Sequence, residues 1–489
     1  MTGFTTLDLI VLIGYMAGVT AWGAWLGRGQ TRASDYFLGS RSLPWWAVLL
    51  SVVATETSTL TFLSIPGVSY LGTLTFLQIT VGYLIGRIVV AAVLLPRYAQ
   101  GRLTTAYHLL EARFGVGTRR LTSGVFMGTR LLADSVRLFA TAIPLALITG
   151  WDYPVSIAVI GALTVIYTDL GGIKAVVWVD ALQMGLYLAG AVLAGWVLQG
   201  AVDGGWGGIL QEASAAGKLT VLDTRLDFGV PYTLWGGILG GAFLSMASHG
   251  TDQLIVQRLL TCKDLASSRR ALVGSGVAVI VQFLVFLLLG LGLWVFYQGR
   301  PFERSDEIFA RFIVEELPSG LTGLLIAGVF AAAMSSLSSS INALASASAY
   351  DFWAPRVGAE GDEERILRAG KIFTLVWSAL LIGGAVAFIP LSAGSTAVEV
   401  ALSIASLVYG GLLGAFVLGA AGARADAASV RIGLLVGIGT VTALWLRAPE
   451  AVAWPWYVPI GTAITTLVGW GLGRGGTAHD AAAGREGAG

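Results

Sequence analysis

Long runs of predominantly apolar residues constrain this chain more than any other feature, for example Ala271 to Tyr297 and Ile432 to Leu446. A helix needs roughly 20 mostly apolar residues to cross the hydrocarbon core of a bilayer. Charged residues make up only 12% of the chain, against roughly a quarter in a typical soluble domain. We therefore predict an all-α polytopic membrane protein. The thirteen candidate spans are 5–27, 44–70, 74–96, 120–149, 153–168, 172–199, 234–258, 271–297, 320–350, 369–389, 395–420, 430–447 and 453–473.

Lysine and arginine are concentrated in alternate loops between these spans. Arg28, Arg32 and Arg41 follow the first span and Arg113 follows the third, whereas the other set of loops holds few basic residues. Short cytoplasmic loops carry an excess of basic residues. We therefore expect a multi-pass protein of the inner membrane, with its N-terminus outside and its C-terminus in the cytoplasm. The first span lacks a basic leader and holds Asp8, so we interpret it as a retained span.

Composition and motifs argue against several classes of function. The net charge is +1, so the chain lacks the basic surface of a nucleic-acid-binding protein. The single cysteine, Cys262, and three scattered histidines provide no metal-ligand spacing. Neither the phosphate-binding pattern GxxxxGK followed by Ser or Thr nor the HExxH pattern occurs. We expect a protein that is not an enzyme, with no cofactor and no obligate protein partner.

The second span has a polar centre. Residues 54–59 read ATETST, which places a carboxylate, Glu56, near mid-membrane depth. A broken helix suits this pattern, because unwound backbone that lines a cavity can coordinate an ion or a solute. The alternative is a regular helix whose hydroxyl groups bond back to its own carbonyl groups. We favour the broken helix, because a regular helix leaves Glu56 without a role.

A cluster of serines marks the ninth span. Ala332, Ser335, Ser336 and Ser339 are spaced i, i+3, i+4 and i+7, which places them on one face of a helix. Sodium is a hard cation and prefers oxygen ligands, as other hard cations do. This face could supply part of a sodium site, with the remaining ligands on another span. Close packing of small residues is the alternative, and the serines alone favour neither.

Other charged residues also fall inside predicted spans. Asp180 lies about two turns inside the sixth span. A carboxylate there is a functional candidate with a cation as its partner, and the alternative is a simple salt bridge to a nearby basic residue. Asp134 and Arg137 are three residues apart on one helix, which favours an ion pair. We interpret these two, together with Arg87 and Asp252, as structural or gating groups.

Four segments of the chain resemble the sodium/solute symporters, the family of sodium-coupled transporters of sugars, proline, pantothenate, iodide, sialic acid and monocarboxylates. The resemblance covers roughly residues 5–473, and the segments stand in the family's order. They are Asp35-Tyr36-Phe37-Leu38-Gly39, then Gly171-Gly172 with Val177-Trp178-Val179-Asp180 and Gln183, then Gly250-Thr251-Asp252-Gln253 with Val256-Gln257-Arg258, and finally Ser336 with Ser339 and Asn342.

The resemblance implies a leucine-transporter-type fold, with ten core helices in two inverted five-helix repeats that include broken helices. It divides the chain into a peripheral first helix and cytoplasmic loop at 1–43, a ten-helix transport core at 44–420, two peripheral helices at 421–473 and a tail at 474–489. The tail is small and polar, so we expect it to be disordered in the cytoplasm.

The resemblance also implies ligand sites. For a common sodium site it implies the carbonyl groups of Ala54, Thr57 and Ala332 with the hydroxyl groups of Ser335 and Ser336. For a second sodium site it implies Asp180, Ser338 and Ser339. For the solute, at mid-membrane beside the broken helix, it implies Glu56, Ser58, Thr59, Gln78 and His249.

We therefore expect a sodium-coupled secondary symporter that imports a small polar organic solute, such as a sugar, amino acid, organic acid or vitamin-like molecule, by alternating access. Its expected partners are the solute, sodium ions and the lipid bilayer. An acidic Glu56 would repel an anionic solute unless a sodium ion or an arginine lies close. A proton-coupled symporter is an alternative, in which Asp180 or Glu56 carries the proton. A transporter-like membrane sensor is another, although no soluble signalling domain is apparent.

Overall fold

A computed structural model describes residues 4–26, 33–57, 59–100, 105–302, 305–359, 361–391, 397–420 and 425–473. Within these ranges the chain is helical, and extended pairing is confined to an isolated bridge between Leu43 and Cys262. The predicted all-α class is confirmed. The first nine helices are α1 (Thr6–Leu26), α2 (Ala33–Leu38), α3 (Trp45–Glu56), α4 (Thr59–Leu71), α5 (Leu77–Val93), α6 (Leu95–Gln100), α7 (His108–Thr149), α8 (Tyr153–Ala201) and α9 (Gly205–Ala215). The others are α10 (Gly241–Gly250), α11 (Gln253–Leu259), α12 (Leu265–Phe296), α13 (Asp306–Glu315), α14 (Leu321–Ala347), α15 (Ala354–Val357), α16 (Glu363–Phe388), α17 (Ala397–Ala420), α18 (Ala427–Arg447) and α19 (Tyr457–Leu472).

Six helices of the described chain are long and apolar enough to cross a membrane, namely α1, the Gly172–Ala201 part of α8, α12, α16, the Val400–Ala420 part of α17, and α18. The pair α3 and α4 adds a seventh if its two halves count as one span. Further apolar helices are shorter, among them α5. The chain is therefore a multi-pass membrane protein. The count of thirteen spans and the inverted repeat remain predictions.

The second span is broken, as its polar centre predicts. α3 ends at Glu56, and Thr57 leaves the helical region with φ −80° and ψ 73°. The helix that follows runs at 57° to α3. A second break interrupts the predicted seventh span at Thr251 and Asp252, between α10 and α11. Because α11 contacts α3 and α14, the second break lies close to the first half of the broken span and to the serine helix.

Glycines allow close contacts between helices and a kink in α8. Gly172 interrupts α8 with a φ of 56° and separates the predicted fifth and sixth spans. Glycine adopts this conformation without the steric cost of a side chain. Gly86 of α5 lies so close to α10 that an added Cβ would stand 2.3 Å from the Ala242 carbonyl oxygen. This small-residue packing joins α5 to α10.

Two short helices, α9 and α13, lie in connections between longer helices. α9 begins the long connection after α8, and α13 occupies the loop before α14, where the sequence predicts an amphipathic helix around Glu307 to Glu316. That prediction is confirmed. α13 packs on α4, where an added Cβ on Gly67 would stand 2.7 Å from the Ser305 carbonyl oxygen. α13 thereby packs against the second half of the broken span.

Candidate solute and sodium site

A cavity lies beside the break of the second span. Its walls come from both halves of that span and from α5, α7, α10, α11, α12 and α17. Eighteen residues line the cavity, nine of them apolar and nine with a polar group. The polar lining residues are Thr55, Glu56, Thr61, Tyr83, Arg130, Arg137, Ser248, His249 and Tyr409.

Glu56 reaches this cavity from the end of α3, with 18% of its side chain exposed. It forms an ion pair with Arg87 of α5, which is fully buried and also donates to Ser275 Oγ at 2.8 Å. His249 Nε2 lies 3.7 Å from the same carboxylate, and its Nδ1 lies 2.8 Å from Ser248 Oγ. Arg87 is thus the arginine that an anionic solute beside Glu56 would require.

A second buried charge on the cavity wall is Arg130 of α7. Its Nε donates to Asp252 Oδ2 at 3.1 Å, and its Nη2 donates to the Tyr409 hydroxyl at 2.7 Å. Tyr409 in turn donates to the same carboxylate oxygen of Asp252. This network ties α7 and α17 to the second break, and it leaves Arg130 neutralised by a buried partner.

Arg137 differs from Arg130 in having a donor atom without a partner in the described chain. Its Nη1 donates to Asp134 Oδ1 at 2.9 Å, so the predicted ion pair is present. Asp134 also accepts a hydrogen bond from Ser340 of α14. The Arg137 side chain is 22% exposed, and its Nε has no partner among the described residues. A guanidinium with free donors can bind a carboxylate through two parallel hydrogen bonds.

The residues predicted for the common sodium site lie on α14 and at the end of α3, and Ser336 lines a small cleft between α14 and α7. α14 contacts both α3 and α4. Ser336 is 5% exposed, and its Oγ has no hydrogen-bond partner within the described chain. A buried hydroxyl without a partner costs about 1–3 kcal/mol, a cost that a bound cation would remove. The side chains of Ala332 and Ser335 lie outside what the structure describes.

The other predicted ligands of this site are backbone carbonyl groups at the end of α3. Ala54 belongs to its last turn, where carbonyl groups have no following helical turn to bond to. The Thr57 hydroxyl is held by the side-chain amide of Gln282 on α12, at 2.7 and 2.9 Å. The Thr57 side chain is thus fixed against α12 at the point where the backbone leaves the helix.

The residues of the predicted second sodium site surround an arginine. Asp180 Oδ2 accepts hydrogen bonds from Ser51 Oγ at 2.6 Å and from Arg258 Nη2 at 3.1 Å. Arg258 also donates to Ser339 Oγ, and its side chain is 1% exposed. The cation beside Asp180 in this structure is therefore a guanidinium. Ser338 is buried on the same helix.

The predicted solute residues separate into three groups. Glu56 and His249 line the cavity. Gln78 does not line it, because its amide donates to the Tyr232 carbonyl at 2.9 Å and accepts from the Asp223 amide at 3.3 Å, in the connection between α9 and α10. Ser58 lies outside the described residues, and the side chain of Thr59 is not described. A charged residue inside a predicted span is a sign of a functional site. The sequence interpretation gives Arg137 a structural or gating role, whereas the structure places it on the cavity wall. The same interpretation does not single out Arg130 or Tyr409, which also line the cavity.

These features define the class of protein. Its helices cross a membrane, two of its spans are broken beside one cavity, and buried charges line that cavity. Broken helices around a midplane cavity are the architecture of secondary transporters.

Comparison with known proteins identifies the family. The profile of the sodium:solute symporter family matches residues 36–437. The sodium/sialic acid symporter NanT of Aliivibrio fischeri is 31% identical over 480 residues, which are 96% of this chain and 93% of that protein. The sodium/sialic acid symporter SiaT of Proteus mirabilis is 31% identical over 90% of both chains. The chain belongs to the sodium:solute symporter family.

Solved structures agree. The substrate-bound outward-open state of a Na+-coupled sialic acid symporter matches with a TM-score of 0.86 and 30% identity, over 95% of this chain and 97% of that one. A nucleobase-cation-symport-1 family transporter matches with a TM-score of 0.54 at 13% identity, a likeness of fold alone. The protein is a sodium-coupled symporter of a small organic solute, and its relatives are transporters and not enzymes.

Proposed function

We propose that this symporter imports a small organic acid together with sodium. Arg137 supports a carboxylate, because it lines the cavity and its Nε has no partner within the described chain. Arg87 supports the same conclusion, because it neutralises Glu56 and removes the repulsion that an anion would meet there. Relatives of this chain are named for sialic acid, and a mouse relative 28% identical is a sodium-coupled monocarboxylate transporter. Sialic acid is therefore the first solute to test.

For sodium we propose the site formed by the carbonyl groups of Ala54, Thr57 and Ala332 and the hydroxyl groups of Ser335 and Ser336. The buried, unpartnered hydroxyl of Ser336 is the observation that carries this proposal. A site with one face on α14 and the other on α3 can couple the two elements, since sodium would draw them together. A second sodium ion at Asp180, Ser338 and Ser339 would require Arg258 to move away from Asp180 and Ser339.

The proposed direction is inward across an inner membrane, with the N-terminus outside and the C-terminus in the cytoplasm. The ten-helix core at 44–420 would then alternate between outward-open and inward-open arrangements around the cavity. Each positive charge that moves inward gains about 2.3 kcal/mol per 100 mV of membrane potential. Sodium entry therefore supplies the driving force for solute accumulation.

The test begins with the melting temperature of the purified protein in sodium, potassium and choline chloride at equal ionic strength. A ligand that binds the folded state stabilises it by RT ln(1 + [L]/Kd). We expect a higher melting temperature in sodium, and a further rise with sialic acid but not with neutral sugars. Equal melting in all three salts would contradict sodium coupling.

The sodium site is tested by Ser336→Ala. We expect this variant to fold and to lose most of its sodium-dependent rise in melting temperature and its sodium-driven uptake into proteoliposomes, because a proposed ligand is missing. Ser346→Ala is the matched control, since its hydroxyl is also buried and unpartnered on α14 but lies ten residues further along, roughly 15 Å away. Normal sodium dependence in Ser336→Ala would refute the assignment.

Proton coupling is the alternative. Glu56 and Asp180 are both ion-paired, to Arg87 and Arg258, so a proton on either would disrupt a buried pair. Uptake that follows a pH gradient without sodium would favour this alternative.

A further inference from the structure

Asp8 is a buried charge on a helix that otherwise shows much of its surface to the surroundings. It stands near the start of α1, and its side chain is 0% exposed. Its Oδ1 accepts hydrogen bonds from the backbone amides of Gly320 at 2.7 Å and Gly323 at 2.8 Å. Its Oδ2 accepts from the Thr5 amide at 2.8 Å and the Thr5 hydroxyl at 2.6 Å. The carboxylate is fully engaged.

The two glycine amides belong to the beginning of α14. The first amides of a helix have no partner within that helix, and a negative charge there interacts favourably with the helix dipole. The contact is also steric, because an added Cβ on Gly323 would stand 2.5 Å from Asp8 Cα and from the Asp8 carbonyl oxygen. α1 therefore holds the start of α14 by charge, by hydrogen bonds and by direct backbone contact.

α14 carries Ser336, the proposed sodium ligand. It is a continuous helix from Leu321 to Ala347, so a shift of its start along the helix axis would carry the later turns with it. Ser336 lies 13 residues beyond Gly323, a distance of roughly 20 Å along that axis. A displacement of the helix start is thus transmitted to Ser336, and metal sites tolerate only about 0.2 Å of error in ligand distance.

We propose that Asp8 is a positioning residue for sodium, which sets the height of α14 against the broken span. This proposal rests on the proposed sodium site at Ser336. The matching family profile begins at residue 36, after α1, so the inference assigns a part in sodium binding to a helix outside the matched region. The alternative is that Asp8 only stabilises the attachment of α1.

Two variants perturb this contact in different ways. Asp8→Asn keeps the shape of the side chain and removes its charge. Gly323→Ala keeps Asp8 and pushes a methyl group against its backbone. Gly328→Ala is the matched control on the same helix, because its methyl group would meet Leu186 side-chain atoms at 3.7 and 3.9 Å, an ordinary contact.

The experiment measures two quantities for the full-length protein in proteoliposomes. The first is the sodium concentration that gives half-maximal uptake of sialic acid, or of the solute that the melting screen identifies. The second is the KM for that solute at saturating sodium. A sodium titration of the melting temperature, in detergent and without solute, reports sodium binding independently of transport and of each variant's baseline stability.

We expect the half-maximal sodium concentration to rise about 3- to 10-fold in Asp8→Asn and Gly323→Ala, somewhat less than for residues that directly support a metal ligand. The KM at saturating sodium and the Gly328→Ala control should stay at the wild-type value. Variants that melt earlier in every salt but keep the wild-type sodium titration would overturn the proposal and leave Asp8 a structural role. If Asp8→Asn is not recovered in folded form, Gly323→Ala decides alone. A wild-type protein that ignores sodium would instead contradict the proposed function, which separates the two failures.

Discussion

Arg137 lines the cavity and combines a buried partner with a donor that has no partner within the described chain. Its Nη1 is held by Asp134, whereas its Nε is unpartnered within the described chain. We predict that Arg137→Gln raises the KM for the transported acid roughly tenfold or more, since hydrogen bonds to a charged group contribute about 1.5–3 kcal/mol. Initial uptake rates against solute concentration, at saturating sodium, measure the change.

Arg447→Gln is the control for this variant, because it removes an exposed arginine at the end of α18 by the same substitution. It should leave the KM unchanged. A wild-type KM in Arg137→Gln would show that the carboxylate is bound elsewhere or that the solute carries none.

At the residue scale, the sequence identifies charges and not their partners. Glu56 and Arg87 stand out in the sequence because a charged side chain inside a membrane is energetically costly. Their ion pair joins residues 31 apart, and the pair of Arg130 and Asp252 joins residues 122 apart. Asp134 and Arg137, three apart on one helix, could be paired from spacing. Charge pairing across helices depends on packing, which no local pattern encodes.

At the element scale, the connection between α9 and α10 is bonded to the second half of the broken span. Lys218 Nζ donates to the Tyr70 and Gly72 carbonyl oxygens, each at 2.8 Å, at the end of α4. It also lies 5.0 Å from the centre of the Trp294 ring. Burial lowers the pKa of Lys218, so these hydrogen bonds offset the loss of water around its charge.

We predict that Lys218→Met loosens the end of α4 and lowers the melting temperature, because carbonyl groups at a helix end lose their donor, at a cost of about 1–3 kcal/mol. Hydrogen exchange of the peptide containing Tyr70 should increase. Arg225→Met in the same loop is the control, since its ion pair with Asp223 is 70% exposed on the arginine side and contributes little. Equal effects of the two variants would remove any special role for Lys218.

The two helix breaks show what a local pattern can and cannot predict. The first is visible as a polar run with Glu56 at its centre, and the structure bends there by 57°. The second break, at Thr251 and Asp252, falls inside a segment that hydropathy predicts as one continuous span, 234–258. The signal was Asp252 after a glycine and a threonine, since its side chain caps α11 by accepting from the Leu254 amide at 2.9 Å. An N-cap residue inside a hydrophobic segment therefore predicts the start of a new helix.

At the scale of the whole molecule, hydropathy predicts helices and their class, because a bilayer imposes length and apolar composition on each span. It does not determine the arrangement of those helices. The described chain brings α3, α8, α11 and α14 together around Asp180 and Arg258, four elements that are widely separated in sequence. The family resemblance grouped Asp180 with Ser338 and Ser339, but neither it nor the composition placed Arg258 among them.

The contacts of Arg258 with Asp180 and Ser339 bear on the number of sodium ions transported with each solute molecule. Asp180 and Ser339 are the residues proposed for a second sodium ion, yet Arg258 donates to both and also to the Leu254 carbonyl at 2.8 Å. A second sodium would have to break these bonds, so we predict one sodium per solute. At zero membrane potential, the accumulation ratio of the solute then follows the sodium ratio to the first power. Proteoliposomes equilibrated at several sodium ratios measure this exponent. An exponent of two that falls to one in Asp180→Asn would show that sodium displaces the guanidinium and that both sites work in each cycle.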